Sequence, residues 1–270
     1  MTVKTSRAPH RVTLPRALSK LGIASRSQAH QDIVDGKVKV NGNREKNPHR
    51  WVSLQEDKIE VDGKKSKPIA DRYLVFHKPK GVTTTRIDER GGNTIYDILG
   101  EDSDSLIPVG RLDKETTGLL VLTNDHRLAD YLTSPVSGVQ KTYIATVNFP
   151  ISRNHLSRLT EGVEILNDGK PWKAKATKVR LVNATEIEIT IAEGKNRQIR
   201  KMFEAVGYVV LELKRISLGP LNMGNLKEGR KRDLSKDEID VLKNMMQNRR
   251  PVRGYRGKAH SSRHRHRYNA

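Results

Sequence analysis

Three stretches alternate apolar and polar residues with a period of two: QKTYIATVNF at 140–149, KAKATKVRLV at 173–182 and TEIEITIAEG at 185–194. That period puts every second side chain on one face of a pleated strand, so each segment buries its apolar half only within a sheet. YVVLELKRISLGPL from Tyr208 reads as a further strand and LIPVGRLD (106–113) as a strand entering the motif at 110–125. YLVFHKPKGVTTT (73–85) reads as a buried strand running into a loop broken by Pro79 and Gly81. Short helices lie between them. TIYDIL (94–99) is one, HRLADYLTS is capped by Asn124 or Asp125 and stopped by Pro135, and SRNHLSRLTEGVEI starts from a Ser152 cap. In NRQIRKMFEAVG, Ile199, Met202, Phe203 and Val206 share one side and Gly207 ends the helix. SKDEIDVLKNMMQN opens on a Ser-x-x-Glu capping box. Strict βαβ repetition is missing, and no Gly-rich phosphate loop precedes a helix. The fold class expected is therefore α+β, a mixed and mainly antiparallel sheet with interspersed helices over residues 73–246.

A smaller unit precedes it at 12–63, joined by a charged, Pro-containing linker at 64–72. Leu14, Ala17, Leu18 and Leu21 recur at helical spacing before Gly22, and Ser25 with Gln28 offers a capping box for a second helix closed by Gly36. KVKVNG then alternates Lys outward and Val inward, with Asn41-Gly42 as a hairpin turn, and DKIEVDG (57–63) repeats the alternation. Arg16, Lys20, Arg26, Lys37 and Lys39 fall on or beside the helix pair. Each alone reads as a solvated surface charge; together they form a candidate phosphate-binding face.

The charge distribution supports that partner. Residues 1–70 carry 15 Lys and Arg against 7 Asp and Glu, residues 71–248 carry 28 against 24, and residues 249–270 carry 8 against none. The net charge of +20 is thus concentrated in two basic ends flanking a nearly balanced centre, a layout that favours a polyanion through counterion release. The segment 247–270 has no apolar periodicity and is expected to be disordered until it meets such a partner. There is no cysteine, so disulfides and thiolate metal sites are excluded. The 9 His show no metal-ligand spacing, and HRHR in the tail reads as basic coil. With no HExxH, GxSxG or P-loop, chemistry without metal or cofactor is expected. No segment has the length and apolarity of a membrane span or a signal-peptide core, so a cytoplasmic protein is expected.

One motif stands apart. GRLDKETTGLLVLTND (110–125) sets Asp113 between Arg111 and Lys114, cations that favour its ionised form, ahead of a buried run from Leu119 to Leu122. Thr116, Thr117 and Gly118 read as a tight turn holding the carboxylate. An Asp in such a place is most often a turn or cap residue.

Two resemblances bear on it. LSKLGIASRSQA, DGKVKVNG and VDG resemble the alpha-L RNA-binding domain of a primary-binding ribosomal protein and several RNA-modifying enzymes. VGRLDKETTGLLVLTND, KTY (141–143) and GKNRQIRKMFEAVG (194–207), behind an HKPKG strand, resemble the RNA pseudouridine synthases of the RsuA-type branch. The resemblance spans about residues 12–245 and implies that Asp113 is catalytic, that Tyr143 stacks on the target uracil, and that Arg200 pairs with Asp113. It implies that Lys195 and Arg197 touch phosphate and that Arg111 fills the space left by a flipped nucleotide. The reaction exchanges a bond from ribose carbon 1 to base nitrogen for one to base carbon, with no atom gained or lost, so no cofactor is required. Asp113 either attacks ribose carbon 1 or abstracts a ribose proton. His126 departs from the pattern, since the family commonly has Gly there. The expected activity is that of a monomeric ribosomal RNA pseudouridine synthase, with large-subunit RNA favoured. The alternatives are small-subunit RNA or a non-catalytic RNA-binding assembly factor.

Overall fold

A computed structural model describes residues 11–248, apart from Gly22, Ser25, Gln55, Gly63, residues 66–69, Glu89, Arg90 and Asp104. The expected Gly22 stop, the Ser25 cap and the tail from 249 onward lie outside the described residues.

The small unit runs β1 (Arg11–Thr13), α1 (Leu14–Lys20), α2 (Arg26–Val34), β2 (Val38–Val40), β3 (Asn43–Glu45), β4 (Trp51–Ser53), β5 (Ile59–Val61) and β6 (Lys64–Lys65). β1 pairs with β4, and the other strands line up as β3-β2-β5-β6. The apolar positions read at helical spacing, Leu14, Ala17 and Leu18, meet Ala29, Ile33, Val38, Val40 and Ile59 in one core. Asn41 and Gly42 both adopt positive φ, 54° and 84°, as a two-residue primed hairpin turn demands. β6 takes up two residues that the sequence pattern assigns to the linker.

The larger unit continues with β7 (Tyr73–Lys78), α3 (Ile95–Leu99), β8 (Ile107–Pro108), β9 (Thr116–Thr123), α4 (His126–Thr133), β10 (Lys141–Val147), α5 (Arg153–Glu161), β11 (Val163–Asn167) and β12 (Lys170–Ala174). It ends with β13 (Lys178–Leu181), β14 (Glu186–Ile191), α6 (Gln198–Glu204), β15 (Val210–Leu218), β16 (Leu221–Asn222), β17 (Lys231–Asp233) and α7 (Lys236–Gln247). The central sheet runs β13-β14-β10-β15-β9-β7-β17, with β16 on β15 and β8 on β9. Among the named strands only β15 and β9 pair in parallel. The mixed, mainly antiparallel α+β expectation holds.

β9 shows why its sequence is a continuous apolar run: both faces of the sheet are covered. Leu120 and Leu122 join Leu74, Phe76 and the apolar sides of α3, α5 and α6. Leu119 and Val121 face the other way, onto Tyr73, Val75, α4 and α7.

Several local expectations change. KAKATKVRLV is not one strand, because the Ala176 amide turns aside to the Leu159 carbonyl of α5, leaving β12 paired with β11 and β13 with β14. LIPVGRLD keeps only Ile107–Pro108 as strand, and the rest becomes the loop carrying Asp113. Thr116, Thr117 and Gly118 are not a turn but the start of β9, zipped against Leu213, Lys214 and Arg215. Asp125, not Asn124, caps α4, accepting from the Arg127 and Leu128 amides at 3.0 and 3.1 Å. His126 takes the first helical position behind that cap.

Candidate active site

A cavity of about 400 Å³ opens beside the join of β9 and β15, lined by Arg111, Asp113, Thr116, Tyr143, Lys195, Arg197 and Gln198 among others. Three distant segments converge here because the sheet brings β9, β10 and β15 side by side, with α6 at one end. Asp113 is half-buried and its carboxylate has no hydrogen bond or ion pair with another described residue. Tyr143 is buried in β10, its ring packed in the core below and bordering the cavity. Arg111, Lys195 and Arg197 are exposed at its rim.

The Asp113 loop is pinned from two sides by residues that the sequence did not single out. Lys78, fully buried at the end of β7, donates from Nζ to the carbonyls of Pro79 at 2.9 Å, Lys114 at 3.3 Å and Thr116 at 2.9 Å. Burial pushes the Lys78 ammonium down to about 8, against the pull of Glu115, Asp113 and Glu228. On the other side, Thr84 Oγ1 donates to the Leu112 carbonyl at 2.8 Å and lies 3.3 Å from the Leu112 amide. The HKPKG and VTTT stretches therefore clamp the residues before and after Asp113. HKPKG is visible in the sequence as part of a resemblance, but nothing local shows that its first Lys points inward.

The cations near Asp113 are not bonded to it. Arg111 and Lys114 form no ion pair with Asp113, whose charge reaches Lys78 and Arg200 from across the fold. Arg200 does not bond to the carboxylate either. Its guanidinium donates from Nη1 to the Val210 carbonyl at 2.7 Å and from Nη2 to the Glu115 carbonyl at 3.2 Å, tying α6 to β15 and to the residue before β9. Burial, the largest influence, lowers the Arg200 pKa, with Arg197 adding to the effect and Asp113 opposing it. The backbone groups left open at the start of β9 and β15 win the guanidinium because its fork reaches both at once.

The rim after β14 has its own brace. Gln198, buried at the first turn of α6, accepts from the Lys195 amide at 3.0 Å and donates to Glu193 at 3.3 Å. Arg197, beside it, holds a left-handed backbone with φ 50°, a conformation that costs a non-glycine residue about 1 kcal/mol. The strain sits at the rim, where it places Arg197 along the cavity.

The basic residues of the small unit meet different partners. Lys20, Arg16 and Arg26 lie toward α4, with Arg16 4.0 Å from Asp130. Lys37 folds back onto Asp32 and Asp35 at 3.4 and 3.5 Å. Lys39 projects from β2 into solvent.

Residues 72–205 match the RNA pseudouridylate synthase family model and residues 12–59 match the S4 domain. The chain is 37% identical over 233 residues to a Bacillus subtilis protein named ribosomal large subunit pseudouridine synthase B, covering 85% of this chain and 95% of that one. It is 36% identical over 236 residues to an RNA pseudouridine synthase of Aquifex aeolicus, covering 86% and 93%. A crystal structure of a pseudouridylate synthase superposes with a TM-score of 0.63 at 31% identity, covering 86% of this chain and 99% of that one. With the S4 domain ahead of the sheet that carries Asp113, this chain belongs to the RNA pseudouridine synthase family, enzymes that isomerise uridine within RNA.

Proposed function

We propose that the protein converts one uridine of large-subunit ribosomal RNA to pseudouridine, acting as a cytoplasmic monomer without a cofactor. The observation carrying this reading is the unpaired Asp113 carboxylate, held rigidly on one wall of a cavity that also exposes Tyr143 and is rimmed by Arg111, Lys195 and Arg197. The names of the Bacillus subtilis relative and of a Pseudomonas aeruginosa relative, 34% identical over 241 residues, favour the large subunit.

The reacting atoms of a paired uridine are shielded within a helix, so the nucleotide flips into the cavity and Arg111 occupies the vacated space. Asp113 acts on the ribose, either by attack on carbon 1 or by removing a ribose proton. Tyr143 stacks on the uracil and relays the proton lost from carbon 5. Arg200 and Lys78 supply positive charge near Asp113 and keep its loop in place. The S4 domain docks ribosomal RNA through Arg16, Lys20, Arg26, Lys37 and Lys39, with Arg16 and Lys37 exchanging their internal carboxylate partners for phosphate.

The test maps pseudouridine in ribosomal RNA from cells lacking the gene, complemented with wild type or Asp113→Ala. One large-subunit uridine should lose its modification and regain it only with wild type. A change confined to small-subunit RNA redirects the substrate, and full restoration by Asp113→Ala removes the residue from catalysis.

A further inference from the structure

Tyr143 is bracketed by two cations that the mechanism above leaves idle. Lys141 stands two residues earlier on the same face of β10 and is 7% exposed; Arg215 lies directly across the β10–β15 ladder from Tyr143 and is 4% exposed. Lys141 Nζ donates to the Val139 carbonyl at 2.7 Å and Arg215 Nε to the Leu119 carbonyl at 2.7 Å. Arg215 Nη2 is buried without a hydrogen-bond partner. Neither forms an ion pair with a carboxylate of the described residues. Burial, and then the charge of Arg215, push Lys141 down to about 8.

Their neighbours are the inner wall of the cavity. Ile191 is the ladder partner of Lys141, Tyr143 faces Arg215 across the ladder, and Leu213 precedes Arg215 by two positions on the same strand. All three line the cavity. Two adjacent buried cations without a counter-charge are costly, and negative charge brought near them is correspondingly favoured. RNA phosphates cannot approach side chains buried this deeply. The charge they are placed to meet is one that develops on the far side of Ile191, Tyr143 and Leu213, inside the cavity.

We propose that Lys141 and Arg215 stabilise the uracil anion formed when the glycosidic bond breaks, an inference resting on the reaction proposed above. The bond from ribose carbon 1 to base nitrogen 1 breaks with its electron pair leaving on the base. After rotation, base carbon 5 donates a pair to ribose carbon 1, carbon 5 then loses its proton, and nitrogen 1 gains one. The charge on the base exists only between these events, so the two cations favour the transition state over the bound ground state.

The test measures single-turnover consumption of the target nucleoside in RNA carrying uridine or 5-fluorouridine, whose fluorine makes the departing base a weaker base and needs less help. Lys141→Met and Arg215→Met should each slow the uridine reaction by about 10- to 100-fold, leave RNA affinity within about twofold, and lose much less with 5-fluorouridine. Lys141→Arg, which keeps the charge, should preserve the wild-type ratio of the two rates. Equal slowing on both substrates, an effect on affinity alone, or a changed ratio in Lys141→Arg overturns the proposal. If Lys141→Met fails to fold, Arg215→Met and Lys141→Arg still decide it. Wild type that consumes no uridine in any ribosomal RNA would instead fail the underlying reaction.

Discussion

Lys78 Nζ lies 2.9 Å from the Thr116 carbonyl, so the last residue of β7 holds the first residue of β9, three positions after Asp113. The same ammonium spans to Pro79 and Lys114, which makes one buried charge the common fixing point of the loop. Lys78→Met keeps the length of the side chain and leaves carbonyls without their donor. We expect a loss of about 2 kcal/mol in denaturant unfolding at pH 7 and a larger proportional loss in turnover than in RNA affinity.

The same lysine has a pH signature. Its folded pKa of about 8 lies below the ordinary value of 10.5, so between these limits the unfolded chain holds a proton that the folded chain has released. Stability from this group is therefore lowest below pH 8 and recovers as pH rises toward 10.5. Wild type should gain on Lys78→Met in unfolding midpoint between pH 8 and 10; a constant difference across that range would show that burial leaves the ammonium untouched.

Gly118 sits where β9 and β15 touch in parallel, at φ 105°, and a Cβ there would fall on the Arg215 backbone. Gly118→Ala should force the two strands apart, costing about 3 kcal/mol or more. A melting temperature unchanged within a degree or two would refute the close approach.

Asp113→Asn keeps shape and removes charge. Since the carboxylate makes no structural bond among the described residues, the variant should melt like wild type, bind RNA with similar affinity, and form no pseudouridine in single-turnover assays. Tyr143→Phe retains the stacking ring and loses the hydroxyl, so it should bind normally while product formation slows by about 100-fold.

Deleting residues 249–270 removes 8 cations. Affinity for ribosomal RNA fragments should fall. The slope of log affinity against log salt should flatten by about 0.7–0.9 for each phosphate that the tail neutralises. Chemistry in bound RNA should continue at the wild-type rate, and an identical slope would show that the tail does not engage RNA.

How much of this was legible beforehand depended on the range of the interaction. The hairpin at Asn41-Gly42, the capping box at Ser235 and the cap at Ser152 are local backbone rules, and all three appear as expected. The alternating strands announced a sheet, and the run at 119–122 announced a buried one. By contrast, KAKATKVRLV alternates smoothly, yet a single amide from Ala176 to α5 divides it between two sheets. Periodicity carries no word of which neighbour a strand will find.

The site divides the same way. Asp113, Tyr143 and the rim cations were visible as residues in motifs, and the structure brings them to one cavity. Sequence order alone suggested that Arg111 and Lys114 guard Asp113 because they are adjacent to it. In the folded chain, Lys78, 35 positions away, and Arg200, 87 positions away, also come close enough for its charge to act on theirs. Sequence determined which chemical groups were present and which local elements they form, since those follow from backbone geometry and side-chain period. Only tertiary structure decided their partners, because the alignment of β7, β9 and β15 sets which carbonyls lie open and therefore where each buried cation bonds.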